Sequence, residues 1–203
     1  MGAPSNTSNT ARHGATGNEQ TTGVILQPTM NNLVYFNHGK ESGPWGGKIT
    51  KLAEVARKKG FAVESMDYQD LPDAGPRVER LLQSEAGKTH GRILVGSSMG
   101  GYVATVASSV LKPKGLFLLA PAFYMPGYPD QNPVPNAKTV SVVHGWNDNV
   151  IPVEHSIRFA QKFSAATHME LHLIEDDHRI SAELEFVATL FERFLDQVRM
   201  QVL

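Results

Sequence analysis

A chain of 203 residues, 41% hydrophobic and 19% charged, is sized for one buried core behind a flexible leader. Its 19 Lys and Arg are scattered and balanced by 20 Asp and Glu, a formal charge of -1, which excludes nucleic acid and anionic membrane as charge-driven partners. No cysteine is present, so disulfides, thiolate metal sites and a cysteine nucleophile are excluded too.

Residues 1–23 are rich in Ser, Thr, Asn, Gly and Gln and read as a disordered leader. They lack the apolar run of a secretory signal and the length of a membrane span, so the cytoplasm is the expected compartment. The folded domain is expected over residues 24–203, with Ile25 and Leu26 as the start of an optional extra strand.

From Asn32 onward, short apolar runs alternate with helical periodicity. In chain order the runs are Leu33–Phe36, Phe61–Met66, Ile93–Val95, Leu116–Leu119, Val140–Val143 and Glu170–Ile174. Several are continuous rather than alternating, as expected of strands covered by helices on both faces. Ile49, Leu52, Ala53 and Ala56 carry the spacing of a helix beginning near Gly47. Leu184, Val187, Leu190, Phe191 and Phe194 carry that of a last helix whose N-cap is placed at Ser181. Pro126, Pro129, Pro133 and Pro135 with Gly127 make residues 122–136 an irregular loop. The alternation predicts a three-layer α/β/α sandwich around a mostly parallel sheet of about six to seven strands, with no large lid domain.

Gly96-Ser97-Ser98-Met99-Gly100 sits between the third run and a helix rich in small residues. A Gly-x-Ser-x-Gly turn needs that strand-to-helix context, because the serine adopts a strained conformation and side chains two positions away would collide. Ser98 is therefore the expected nucleophile, and Ser97 belongs to the turn. A plain glycine-rich turn or a phosphate cradle is the competing reading, but the P-loop lysine and the dinucleotide-binding glycine spacing are both missing.

A serine hydroxyl needs a base, and the base needs an orienting acid, each on a loop at the carboxyl edge of the sheet. The loop after Val143 offers Asp148 and the loop after Ile174 offers His178, giving the order Ser, Asp, His. Asp176 and Asp177 are rival acids, too close in sequence to His178 to reach its far ring nitrogen. Asp67 and Asp70 are assigned to a turn. His144 is read as a packing residue rather than a base, His13 as part of the leader, and His90 and His155 as surface residues. His168, Glu170 and His172 share one strand face at two-residue spacing, which suits either a metal or the polar face of an edge strand; the edge-strand reading is preferred.

With these motifs in hand, residues 33–200 resemble a compact α/β hydrolase of the serine esterase, dienelactone-hydrolase-like and acyl-thioesterase kind. The resemblance rests on Ser98 between its glycines and on His144, Gly145, Asp148, Ile151 and Pro152, which match a His-Gly-x-x-Asp-x-x-Val-Pro stretch with Ile in place of Val. It implies hydrolysis of an ester or thioester of a small-molecule acyl substrate through an acyl-enzyme, with no cofactor and no metal. It sets no oligomeric state. Backbone amides should hold the oxyanion: that of Met99, at a helix start, and that of the residue following His38-Gly39, which is Lys40, with Glu41 as the fallback. Tyr124 and Trp146 are candidate substrate-binding residues, among a set with Phe123, Met125, Tyr128 and Trp45 that either lines a pocket or packs a loop onto the sheet. A peptidase or amidase on the same triad and a noncatalytic interaction module are the alternatives.

Overall fold

The computed structural model describes residues 1–2, 32–85 and 91–200. The expectations for the rest of the leader, for Ile25 and Leu26, and for His13 and His90 lie outside the described residues. Six strands are described: β1 Leu33–Asn37, β2 Ala62–Met66, β3 Ile93–Ser97, β4 Gly115–Leu119, β5 Thr139–Gly145 and β6 His168–Ile174. The helices described with them are α1 Gly47–Lys58, α2 Ala74–Gln83, α3 Met99–Leu111, α4 Val153–Phe163 and α5 Leu184–Met200.

The strands lie in the order β2-β1-β3-β4-β5-β6, and every neighbouring pair is parallel. Alternate side chains of each strand feed opposite faces. Val34 and Phe36 of β1, with Val95, Phe117 and Leu119, meet Ile49, Leu52 and Ala56 of α1 and Val187, Phe191 and Phe194 of α5. Leu33 and Tyr35, with Leu94, Leu116, Leu118 and Val142, meet Ala74 and Leu81 of α2, Val103 and Ala107 of α3, and Phe159 and Phe163 of α4. The result is an open three-layer α/β sheet with both faces covered, which is why the central strands read as continuous apolar runs.

The connection runs outward from β1 to β2 and then returns past β1 to β3, so chain direction across the sheet reverses between β1 and β3. Such a reversal is a topological switch point, and in open α/β sheets ligands usually bind beyond the carboxyl ends of the strands there. A separate cleft of about 320 Å³, lined by residues such as Asn32, Phe61 and Lys114, lies at the opposite, amino-terminal edge.

Two sequence expectations are corrected. The last helix begins at Leu184, and its first carbonyl acceptor is that of Glu183, which binds the Val187 amide at 2.9 Å. Ser181 is therefore not the N-cap. The Glu183 amide donates at 2.8 Å to Asp176 Oδ2, so a carboxylate from the preceding loop serves the helix start. The last strand begins at His168 rather than Glu170, and its polar face is an ion-pair group in which Glu170 meets His172 at 3.2 Å and Arg193 at 3.1 Å. No metal-holding group of three or more His, Asp or Glu occurs among the described residues. No helix among them is long and apolar enough to cross a membrane. Residues 122–136 are irregular, without helix or strand.

Candidate active site

β3 ends at Ser97 and α3 starts at Met99, leaving Ser98 alone on the turn with φ 55° and ψ -121°. That is a strained conformation for a residue with a Cβ. The chain is held in it by its carbonyl oxygen, which accepts the amides of Gly101 at 2.9 Å, Ala122 at 3.0 Å and Tyr102 at 3.3 Å, while its own amide donates to Leu119 at 2.9 Å. The flanking glycines are required for a reason wider than the serine itself. A Cβ on Gly96 would stand 2.3 Å from the Gly100 carbonyl oxygen, and one on Gly100 would stand 2.0 Å from that of Asn37. Gly100 thus lets α3 start directly against the β1 loop.

The structure brings Ser98, His178 and Asp148 together. His178 Nε2 lies 3.1 Å from Ser98 Oγ, and its Nδ1 lies 2.8 Å from Asp148 Oδ2. A carboxylate can only accept, so the Nδ1 proton faces Asp148 and Nε2 is left to accept from the serine hydroxyl. The Asp148 side chain is fully buried. Its Oδ1 accepts the amides of Val150 at 2.9 Å and Ile151 at 2.8 Å, and its Oδ2 is also 3.0 Å from His144 Nε2. All four acceptor positions are filled. Burial works to raise this carboxyl, but hydrogen bonds from His144, His178, Ile151 and Val150 outweigh it and hold the group well below the ordinary carboxylate range.

His144 is wholly buried, in keeping with the packing role read from sequence. It also has a polar task. Its Nδ1 is 2.7 Å from Ser156 Oγ, and its Nε2 faces both the Ile151 carbonyl at 3.0 Å and Asp148. Two acceptors around Nε2 place the proton there, and the Ser156 hydroxyl then donates to Nδ1. Of the rival acids, Asp176 is buried and organises the His178 loop, its Oδ1 accepting the Asp177 amide and its Oδ2 the Glu183 amide, both at 2.8 Å. Asp177 accepts the Arg179 amide at 2.7 Å. Lys48 was not singled out by the sequence. It reaches from α1 to the His178 carbonyl at 3.2 Å, and burial pushes its ammonium down to about 8 against the pull of Asp148, Asp176 and Asp177.

The loop after β1 packs on the serine. A Cβ on Gly39 would touch Ser98 Cβ at 3.3 Å, so this segment passes directly beside the turn. His38 and Asn37 are buried beneath it. Asn37 Nδ2 donates to the Val95 carbonyl at 3.1 Å, and Asn37 Oδ1 accepts from the Tyr68 hydroxyl at 2.7 Å. The Tyr68 amide donates to His38 Nε2 at 2.9 Å, which puts the imidazole proton on Nδ1, 2.7 Å from the Gly39 carbonyl. Burial pushes the His38 imidazole below its ordinary value. Among the described residues, neither the Lys40 amide nor the Met99 amide donates to a protein acceptor.

No protein-family model matches the chain, and no curated protein sequence does either. Solved structures do. A protein from Xanthomonas campestris pv. campestris, assigned to the α/β-hydrolase superfamily, is 33% identical over 82% of this chain and 98% of its own, with a TM-score of 0.73. The chain belongs to the α/β-hydrolase superfamily. Est1E from Butyrivibrio proteoclasticus, at 18% identity over 83% of this chain and 88% of its own, shares the fold of this α/β hydrolase with a TM-score of 0.70. So does a serine hydrolase without a lid from Xanthomonas campestris, at 18% identity over 87% and 84% of the two chains and a TM-score of 0.61.

In this hydrolase the aromatic residues of the proline-rich loop divide between packing and exposure. Phe123 is buried and stacks on Phe159 at 4.1 Å, and Tyr128 meets Tyr102 at 4.7 Å, so both fasten the loop to the body. Tyr124 is half-buried with φ 55°, its ring against His155 at 5.6 Å and under the Arg158 guanidinium at 4.2 Å. Trp146 and Trp45 are exposed on loops at the carboxyl edge. Non-glycine residues with positive φ, namely Ser98, Ala120, Tyr124 and Ile180, recur in the turns along that edge of the α/β hydrolase.

Proposed function

We propose that the protein is a serine hydrolase cleaving a carboxylic ester or thioester through an acyl-enzyme, with Ser98 as nucleophile, His178 as base and Asp148 as the acid that orients it. The observation that carries this reading is the continuous relay from Ser98 Oγ to His178 Nε2 at 3.1 Å and from His178 Nδ1 to Asp148 Oδ2 at 2.8 Å. Ser98 Oγ attacks the acyl carbon while His178 Nε2 takes its proton. The oxyanion that forms is held by the amides of Met99 and Lys40. The same imidazole returns the proton to the departing alcohol or thiol, then activates water to hydrolyse the acyl-serine. Asp148 stays ionised throughout and stabilises the imidazolium. Tyr124 and Trp146 are assigned to contacts with the substrate beyond the reacting carbon.

The test compares wild type with Ser98→Ala on short p-nitrophenyl esters, alongside labelling by a fluorophosphonate. Hydrolysis and labelling should both disappear in the variant. Undiminished hydrolysis by Ser98→Ala would remove Ser98 from the reaction. An absence of labelling in well-folded wild type would favour a noncatalytic role for the fold.

A further inference from the structure

Arg77, on α2, is the largest fully buried side chain among the described residues, only 1% exposed. It forms no salt bridge with a carboxylate among the described residues. A buried guanidinium without a counter-ion is costly unless its N–H groups are otherwise satisfied. Here four of the five are satisfied, all by backbone oxygens from two loops. Nε donates to Leu71 O at 2.6 Å and Nη2 to Tyr68 O at 3.3 Å, both in the β2–α2 connection. Nη1 donates to His38 O at 3.3 Å and Gly39 O at 3.2 Å, both in the loop that packs on Ser98. The ring of Tyr68 lies 5.3 Å from the guanidinium carbon.

The Gly39 carbonyl therefore receives two donors, Arg77 Nη1 and His38 Nδ1. The peptide that follows it is trans, so its N–H, which belongs to Lys40, points opposite to the carbonyl and away from Arg77. That amide donates to no protein acceptor among the described residues. A fixed positive charge behind the carbonyl end of a peptide also polarises it, making the N–H at the other end a stronger donor.

We propose that Arg77 is a positioning residue for the oxyanion site: by clamping the His38 and Gly39 carbonyls, it holds the Gly39–Lys40 peptide with the Lys40 N–H aimed at the oxyanion formed on Ser98. The proposal rests on the serine-hydrolase reading given above. It assigns a catalytic consequence to a residue enclosed behind the loop, and it accounts for a charge standing where an apolar side chain would fill the same space.

A double-mutant cycle on a short p-nitrophenyl ester tests it, using wild type, Arg77→Met, Lys40→Pro and the combination, each checked for folding by circular dichroism. Lys40→Pro deletes the N–H and should lower kcat about a hundredfold, the scale of one lost oxyanion donor. Arg77→Met should lower kcat roughly ten- to a hundredfold with KM within about threefold of wild type, because the oxyanion exists only in the transition state. In the Lys40→Pro background, Arg77→Met should cost less than about twofold more, because the group it aims has gone. Equal costs in both backgrounds would overturn the proposal, as would an Arg77→Met enzyme within twofold of wild type. If Arg77→Met does not fold, Arg77→Lys decides by the same cycle: its ammonium cannot span both loops, and unchanged kcat in that variant overturns the proposal equally. Failure of the underlying reading looks different, since hydrolysis would then be independent of Ser98 in every background.

Discussion

His144 and Asp148 form a fully buried pair, with the imidazole Nε2 3.0 Å from the carboxylate oxygen that also holds His178. One oxygen atom thus serves two histidines, one on β5 and one on the loop after β6. The second histidine fixes where the carboxylate lies, and so where His178 is held. His144→Phe, which keeps ring volume and removes the donor, is expected to lower kcat about tenfold, the scale of one charge-assisted hydrogen bond partly lost in the transition state. Asp148→Asn should fall much further, about 10³- to 10⁴-fold as in the serine-protease template, because an amide can stabilise the wrong imidazole tautomer. Steady-state kinetics on one ester separates the two, and equal losses would contradict a supporting role for His144.

The strain at Ser98 predicts opposite effects on activity and stability. Ser98→Gly and Ser98→Ala both remove the hydroxyl and should both be inactive. Only glycine relaxes a backbone at φ 55°, a relief of about 1–3 kcal/mol set against about 0.5–1 kcal/mol of added unfolded-state entropy. Urea denaturation should therefore show Ser98→Gly to be more stable than Ser98→Ala by about 1 kcal/mol. Identical midpoints would mean that the turn carries no such strain.

Lys48 gives a pH signature. Its ammonium is pushed down to about 8 by burial, against an ordinary value of 10.5 in the unfolded chain. Between these values the unfolded state holds more protons than the folded one, so this lysine makes stability rise with pH across that window. Below about 8 the penalty of keeping the buried charge is present in full. Lys48→Met should lose this contribution, and urea midpoints at pH 7.5 and 9.5 should differ less favourably for the variant than for wild type. A parallel change in both proteins would show that Lys48 titrates normally.

Gly145 ends β5 where the Asp148 and His178 loops converge. A Cβ there would stand 2.2 Å from the Asp176 carbonyl oxygen, which also receives the Asn147 amide at 3.0 Å. Backbone rather than a flexible side chain must move, so Gly145→Ala should destabilise by about 3 kcal/mol or more. Hydrolysis of the test ester should fall with it, since the Asp148 and His178 loops part. A variant melting like wild type would be the contrary result.

Much of the architecture was legible because β3, β4 and β5 are covered on both faces and so stand out as apolar runs. The turn at Ser98 was legible for a related reason, since close approach leaves glycine as the residue that fits at Gly96 and Gly100. Asp148 and His178 could be picked because strand ends locate loops. What escaped was polar and buried. Arg77 occupies the apolar stripe of α2 between Ala74 and Leu81, and a charge at that spacing was the one available sign that it points inward. Lys48 gave no such sign, because its partner is the backbone of a loop 130 residues away. Ser181 misled for a local reason: serine is a good cap in isolation, but Asp176 reaches the helix start from outside the sequence window. The aromatic residues near Tyr124 could not be sorted by sequence, because stacking on Phe159 depends on where α4 docks.

The all-parallel order of the strands also governs when the site can exist. With no hairpins among these strands, each pairing closes only after a crossover has been laid down, a topology that folds slowly. Ser98 meets His178 across 80 residues, and α5 returns to α1, where Lys59 binds Asp196 across 137. During refolding, helix content should therefore recover first, and hydrolysis should be among the last properties the chain regains.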